Sequence, residues 1–108
     1  MPEGQTGQPW TDDEIEAALD VYFQMLMLKL DGQDPVKAEY RSKLEADLPA
    51  RSKKSIELKW CNVSAVLDEM ELPWIAGYKP MPHYQAKLRG AVRSWLARYP
   101  SFNARLQQ

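Results

Sequence analysis

Arg51-Ser52-Lys53-Lys54-Ser55-Ile56-Glu57-Leu58-Lys59-Trp60-Cys61-Asn62, continuing as Val63-Ser64-Ala65-Val66-Leu67-Asp68-Glu69-Met70, is the stretch whose reading decides the fold. Ser52 stands just before an apolar series, where its hydroxyl can accept from the free amides of a first helical turn, so a helix is expected to start near Lys53. Ile56, Trp60, Val63, Leu67 and Met70 recur at steps of four, three, four and three, which places them on one stripe of an α-helix facing a core. The opposite face carries Lys54, Leu58, Cys61 and Ala65, with Asn62 at its edge, and is short of charge. Leu58, Cys61 and Ala65 are therefore either covered by another segment of the chain or offered to a partner.

Working back from this helix, Leu48 to Arg51 reads as a short loop and the residues before it as a second helix, with Val36, Tyr40, Leu44 and Leu48 every four residues. Asp34 is the expected cap and Pro35 the first helical position, with Pro49 as the stop. Further back, Thr11 and Glu14 have the spacing of a capping box, and Trp10 can act as a staple on Ile15. Ile15, Leu19, Tyr22, Leu26 and Leu30 form the main stripe of the resulting first helix, ended by Asp31-Gly32. Phe23 and Met27 lie off that stripe, so this helix needs apolar contacts on a second side, from a second layer or from a partner.

Two helices, a short turn and a third helix with an apolar inner stripe outline a helix-turn-helix module. Going forward, Pro73 ends the third helix near Glu71, and Trp74-Ile75-Ala76-Gly77-Tyr78-Lys79-Pro80-Met81-Pro82 reads as an extended strap. A fourth helix is expected from about His83 to Tyr99, with Tyr84, Leu88, Val92, Trp95 and Tyr99 on one stripe and Pro100 as its end. The expected layout is a disordered leader over 1–9, one helical domain over 10–100 and a loose tail over 101–108.

Trp10-Thr11-Asp12-Asp13-Glu14 together with Arg51-Ser52-x-x-Ser55-Ile56-x-x-Lys59-Trp60-x-Asn62 resembles the opening and recognition-helix signature of Myb/SANT-type helix-turn-helix domains. The longer pattern Arg51-Ser52, Ser55-Ile56-Glu57, Lys59, Asn62 to Leu67, then Leu72-Pro73-Trp74-Ile75 and Gly77-Tyr78-Lys79-Pro80, resembles an N-terminal domain found on bacterial HNH restriction-type endonucleases and related modular proteins. This second resemblance covers roughly 10–100. It implies a Gly-type left-handed residue at Glu71, where a side chain costs ~1 kcal/mol. The implied fold is all-α: a trihelical Myb/SANT-like core plus a basic fourth helix. The implied role is a non-catalytic nucleic-acid-binding or targeting module of a restriction or modification-dependent nuclease system, with the nuclease domain downstream.

A single cysteine excludes an internal disulfide, the polar N-terminus shows no signal peptide, and no apolar run approaches the ~20 residues of a membrane span. A cytoplasmic protein with no membrane partner is expected. The net charge of −1 conceals an asymmetry, because residues 1–50 hold eleven acids against four bases and residues 72–108 hold six bases and no acid. That basic segment points to a polyanion partner such as DNA, or to neutralisation against the acidic first helix. One histidine, His83, and one cysteine, Cys61, supply too few ligands for a zinc or HNH metal centre, and no glycine-rich phosphate loop is present. No catalytic residue, metal or cofactor is therefore assigned.

On the Myb-like alignment the groove-facing positions are Lys54, Glu57, Leu58 and Cys61, of which Leu58 and Cys61 carry no base readout. The candidate nucleic-acid contacts are Arg51, Lys53, Lys54, Arg89 and Arg93, with Asn62 from the signature. For the alternative, a protein docking or self-associating module, the candidate interface is Leu58, Cys61 and Ala65, or the side of Phe23 and Met27.

Overall fold

A computed structural model describes residues 9–108 as five helices: α1 (Asp12–Leu30), α2 (Lys37–Asp47), α3 (Lys53–Glu69), α4 (Ala86–Arg98) and α5 (Pro100–Leu106). No strand occurs among the described residues. The leader expected over 1–9 lies outside the described residues except for Pro9.

Each start of α1 and α3 follows from a short-range hydrogen bond. Thr11 Oγ1 accepts from the Glu14 amide at 3.1 Å while Glu14 Oε1 accepts from the Thr11 amide at 2.9 Å, which is the expected capping box. Ser52 Oγ accepts from the Ser55 amide at 3.1 Å. α2 departs from expectation: Val36 is its N-cap, two residues later than Asp34, and has no side-chain cap bond. The Asp34 carboxylate instead receives the Lys29 ammonium at 3.4 Å.

α1 and α3 close with the same device. Gly32 has φ +82°, with Gly32 N bonded to Lys29 O and Gln33 N to Leu28 O. Glu71 has φ +61°, with Glu71 N bonded to Asp68 O at 3.0 Å and Leu72 N to Leu67 O at 2.9 Å. Both are Schellman closures, and the second carries a side chain in the left-handed region at a cost of ~1 kcal/mol.

α3 packs against α1, α2 and α4 and is buried over most of its circumference. Ile56, Trp60, Val63 and Leu67 are fully buried, as the stripe requires, and Trp60 Nε1 donates to Ala18 O of α1 at 3.0 Å. Tyr22 of α1 shares a 2.8 Å hydrogen bond with Ser64 of α3 and accepts from the Ile75 amide at 3.0 Å. This buried polar group fastens α1, α3 and the strap at one point, where an unmade hydrogen bond would be costly.

The strap, 72–85, sends Leu72, Ile75 and Tyr78 inward and then crosses α3. Met81 N donates to Cys61 O at 3.1 Å, and Asn62 Nδ2 donates to Met81 O at 2.7 Å and His83 O at 3.3 Å. These cross-chain bonds occupy the backbone of 81–83, so α4 starts at Ala86 and not at His83.

The tail read as loose folds as α5, and Pro100, expected as a stop, is its first residue. Pro lacks only an amide that a first turn leaves unpaired anyway. Phe102 and Leu106 of α5 are buried, and Phe102 meets Phe23 edge-on with ring centroids 5.5 Å apart. Phe23 also stacks on Trp95 of α4 at 4.3 Å. The Phe23 part of the second apolar side of α1 is thus covered within the chain, and Phe23, offered as an interface residue, belongs to the core at 1% exposure, whereas Met27 stays 41% exposed.

Candidate nucleic-acid interface

The basic C-terminal segment mostly neutralises its own chain. Asp12, Glu16 and Asp20 form an i, i+4 row on α1, and α4 meets that row with Lys87 on Asp12, Arg98 on Glu16 and Trp95 Nε1 on Asp20. Arg105 pairs with Asp31 at the end of α1. Arg89 pairs with Glu69 at 3.0 Å, and Tyr84 donates to the same carboxylate oxygen at 2.6 Å. Of the two candidate contacts on α4, Arg93 alone is left without an ion pair among the described residues.

Arg51 is built into the fold. Its guanidinium gives Glu14 two hydrogen bonds, at 3.1 and 2.8 Å, donates to Pro9 O at 2.8 Å, and lies 5.0 Å from the centre of the buried Trp10 ring. Its hydrogen bonds hold the Glu14 carboxyl below the usual range, against the opposing effect of burial. Asn62 is likewise buried, with its amide nitrogen on the strap carbonyls. Arg89, tied to the last turn of α3, is separated from Lys53 by about sixteen residues of helix, or roughly 24 Å. The six candidate nucleic-acid contacts therefore do not converge.

Lys53 and Lys54 remain exposed at the open start of α3, with no ion pair among the described residues. On the outer face of the first two turns of α3 the exposed side chains Lys53, Lys54 and Leu58 form a window, bordered by the strap where Gln85 meets Lys59 and where Met81 meets Cys61 and Asn62. Leu58, at 45% exposure, lies in that window; Ala65 beyond it is buried and Cys61 half-buried. Burial pushes the Cys61 thiol up from its usual range, with Glu57 adding to the effect, which makes it a poor nucleophile. The cover over Ala65 and Cys61 thus involves the strap, and Met81 adds a second apolar side chain, 45% exposed, beside Cys61.

Two lysines not singled out in the sequence, Lys37 and Lys79, lie beside or on the strap. A Cβ at Gly77 would lie 3.1 Å from Lys37 Cε, so the Lys37 side chain rests along the strap, two residues before Lys79. Arg41 of α2 bonds Glu57 of α3 at 3.2 Å next to Tyr78, whose hydroxyl is pushed up to about 12 chiefly by burial. Lys37 is one turn before Arg41, and Lys53 and Lys54 are one turn before Glu57 and Leu58. Spacing alone could not relate Lys37 to Gly77, because the fold of the strap brings them together.

Lys59 is a further cation hidden from sequence inspection. It is buried, lies 5.2 Å from the Trp10 ring centre and donates to Gln85 Oε1 at 3.3 Å. Burial, then Arg51 and Lys87, lowers its ammonium to about 8 from the ordinary 10.5. Stability from this group is therefore present above its unfolded pKa and is lost as pH falls through about 8. Cys61, Tyr22 and Tyr78, all raised, act in the opposite sense at higher pH. The Lys59 contribution is isolated by comparison with Lys59→Met: in urea unfolding, the parent should gain stability relative to that variant between pH 8 and 10. A constant difference over that range would refute it.

Among the described residues no helix is long and apolar enough to cross a membrane, and no group of three or more His, Cys, Asp or Glu is placed to hold a metal ion. No protein-family model, curated protein or solved structure matches the chain.

Proposed function

We propose that this chain is a non-catalytic nucleic-acid-docking module, of the kind its sequence resembles on bacterial HNH restriction-type and modification-dependent nucleases. The single observation that carries this reading is the pair of exposed lysines at the start of α3, Lys53 and Lys54, which have no ion pair among the described residues of a chain whose other bases are largely paired internally. In this reading α1, α2 and α3 act as a Myb/SANT-like trihelical core, and the first two turns of α3 approach the nucleic acid, as the early residues of a recognition helix do. Any nuclease chemistry belongs to a domain further along the gene product.

A second reading is favoured by one observation: Leu58 and Met81, each 45% exposed, lie either side of Cys61 on the same face. They suit a protein-docking module whose partner covers both.

Fluorescence anisotropy on a labelled duplex at low salt tests the first reading, with Lys53→Glu combined with Lys54→Glu as the control. Binding by the parent, lost in the double variant while the thermal melt moves by only ~0.5 kcal/mol, is the expected result. Absence of duplex binding removes the nucleic-acid reading. Leu58→Asp that leaves the fold intact but abolishes association with a protein partner would favour the second.

A further inference from the structure

We infer, on the basis of the nucleic-acid reading above, that Leu58 reads a base: its side chain meets the C5-methyl group of thymine in the major groove of duplex DNA, one helical turn along α3 from Lys54.

Helical register puts Lys54, Leu58 and Cys61 on the outer face of α3, at steps of four and three, with Lys54 about 6 Å along the axis from Leu58. Lys54 is exposed and has no ion pair among the described residues, and Leu58 is 45% exposed. Cys61 is half-buried where Met81 N bonds its carbonyl oxygen, so Leu58 is the last exposed side chain of α3 before that crossing. No acid stands in the first turn of α3, and Glu57, which precedes Leu58, is held by Arg41 at 3.2 Å. An exposed leucine one turn from a cation that no acid neutralises suits a polyanion carrying an apolar group.

Unmodified duplex DNA offers one such group in its groove code. Base edges present donors and acceptors, and thymine adds a C5-methyl in the major groove that takes apolar contacts. Leu58 has no hydrogen-bonding readout, and pressed on a donor or acceptor it would strip water without replacing the lost bond. Against the methyl, both surfaces leave water favourably. Side chains near the start of a recognition helix are those that reach base edges, which is where Lys54 and Leu58 stand. Asn62, the residue type that reads adenine, is buried with its amide nitrogen on Met81 O and His83 O, so it does not supply the contact instead.

The test is anisotropy of the intact chain on two duplexes of equal length, one of alternating adenine and thymine and one with uracil for every thymine, which differ only in the C5-methyl. The parent should bind the thymine duplex about four-fold more tightly, the effect of one buried methyl group. Because the contact carries no charge, that ratio should hold as salt is raised while both affinities fall. Leu58→Ala should bind the two duplexes equally, with a thermal melt close to that of the parent. Lys54→Gln should flatten the salt slope by about one on both duplexes and keep the ratio. Equal affinity of the parent for the two duplexes overturns this inference and leaves the nucleic-acid reading standing, as does a four-fold ratio that survives in Leu58→Ala. No binding to either duplex at low salt overturns both.

Discussion

Trp60→Ala is expected to lower stability by about 3–5 kcal/mol. Trp60 has no exposed surface, its ring lies 5.3 Å from that of Tyr78, and its indole nitrogen donates to Ala18 O at 3.0 Å. Truncation opens a cavity where α1, α3 and the strap meet, and removes the bond that ties α3 to the backbone of α1. A domain of this size has only about 5–15 kcal/mol in total, so the variant should be largely unfolded or close to it at ambient temperature. Calorimetry should show a midpoint lowered by about 15 °C or more. A shift of a few degrees would mean that Trp60 is not the anchor its burial indicates.

Arg51→Ala is the second large effect, about 3 kcal/mol, because it leaves the half-buried Glu14 carboxylate without its cation. The pair is geometrically strong: two hydrogen bonds to Glu14, with side-chain exposures of 6% and 16%. Arg51→Lys should recover only part of the loss, since an ammonium cannot reproduce the planar fork or its place over Trp10. Because the Glu14 carboxyl is held below its ordinary value, its contribution is present above the ordinary carboxylate pKa and is lost as pH falls through the lowered one. Urea unfolding at neutral and acid pH should therefore show parent and variant converging in acid. Had Arg51 been a phosphate contact, the substitution would leave the melt unchanged and weaken duplex binding alone.

The contrast between these residues shows what is legible in a single chain. Trp60 was readable as core from its phase in the Ile56, Val63 and Leu67 series, since helical periodicity is a local property. The capping box of Thr11 and Glu14 and the Ser52 cap were readable for the same reason, since their partners lie within a few residues, whereas the left-handed turn at Glu71 came from the resemblance. Arg51 and Asn62 carried the chemistry of nucleic-acid contacts, yet their partners are Glu14 and Pro9 in one case and Met81 and His83 in the other. Nothing local specifies those pairings.

By itself the sequence determined an all-α chain, the stripes of α1 and α3, the Leu88, Val92 and Trp95 part of the α4 stripe, whose Tyr99 is 46% exposed, and most helix ends, because propensity, capping and periodicity act over one or two turns. Tertiary structure alone decided which charges are free. The row Asp12, Glu16 and Asp20 could have faced water, and the bases of α4 a polyanion; packing of α4 on α1 brought them together. The apolar excess of Phe23 likewise called for a cover, and α5 supplied it only because Phe102 and Leu106 return to that side. Ion pairs and aromatic contacts between residues about 75 positions apart depend on how helices are docked, and docking is settled by the whole core at once.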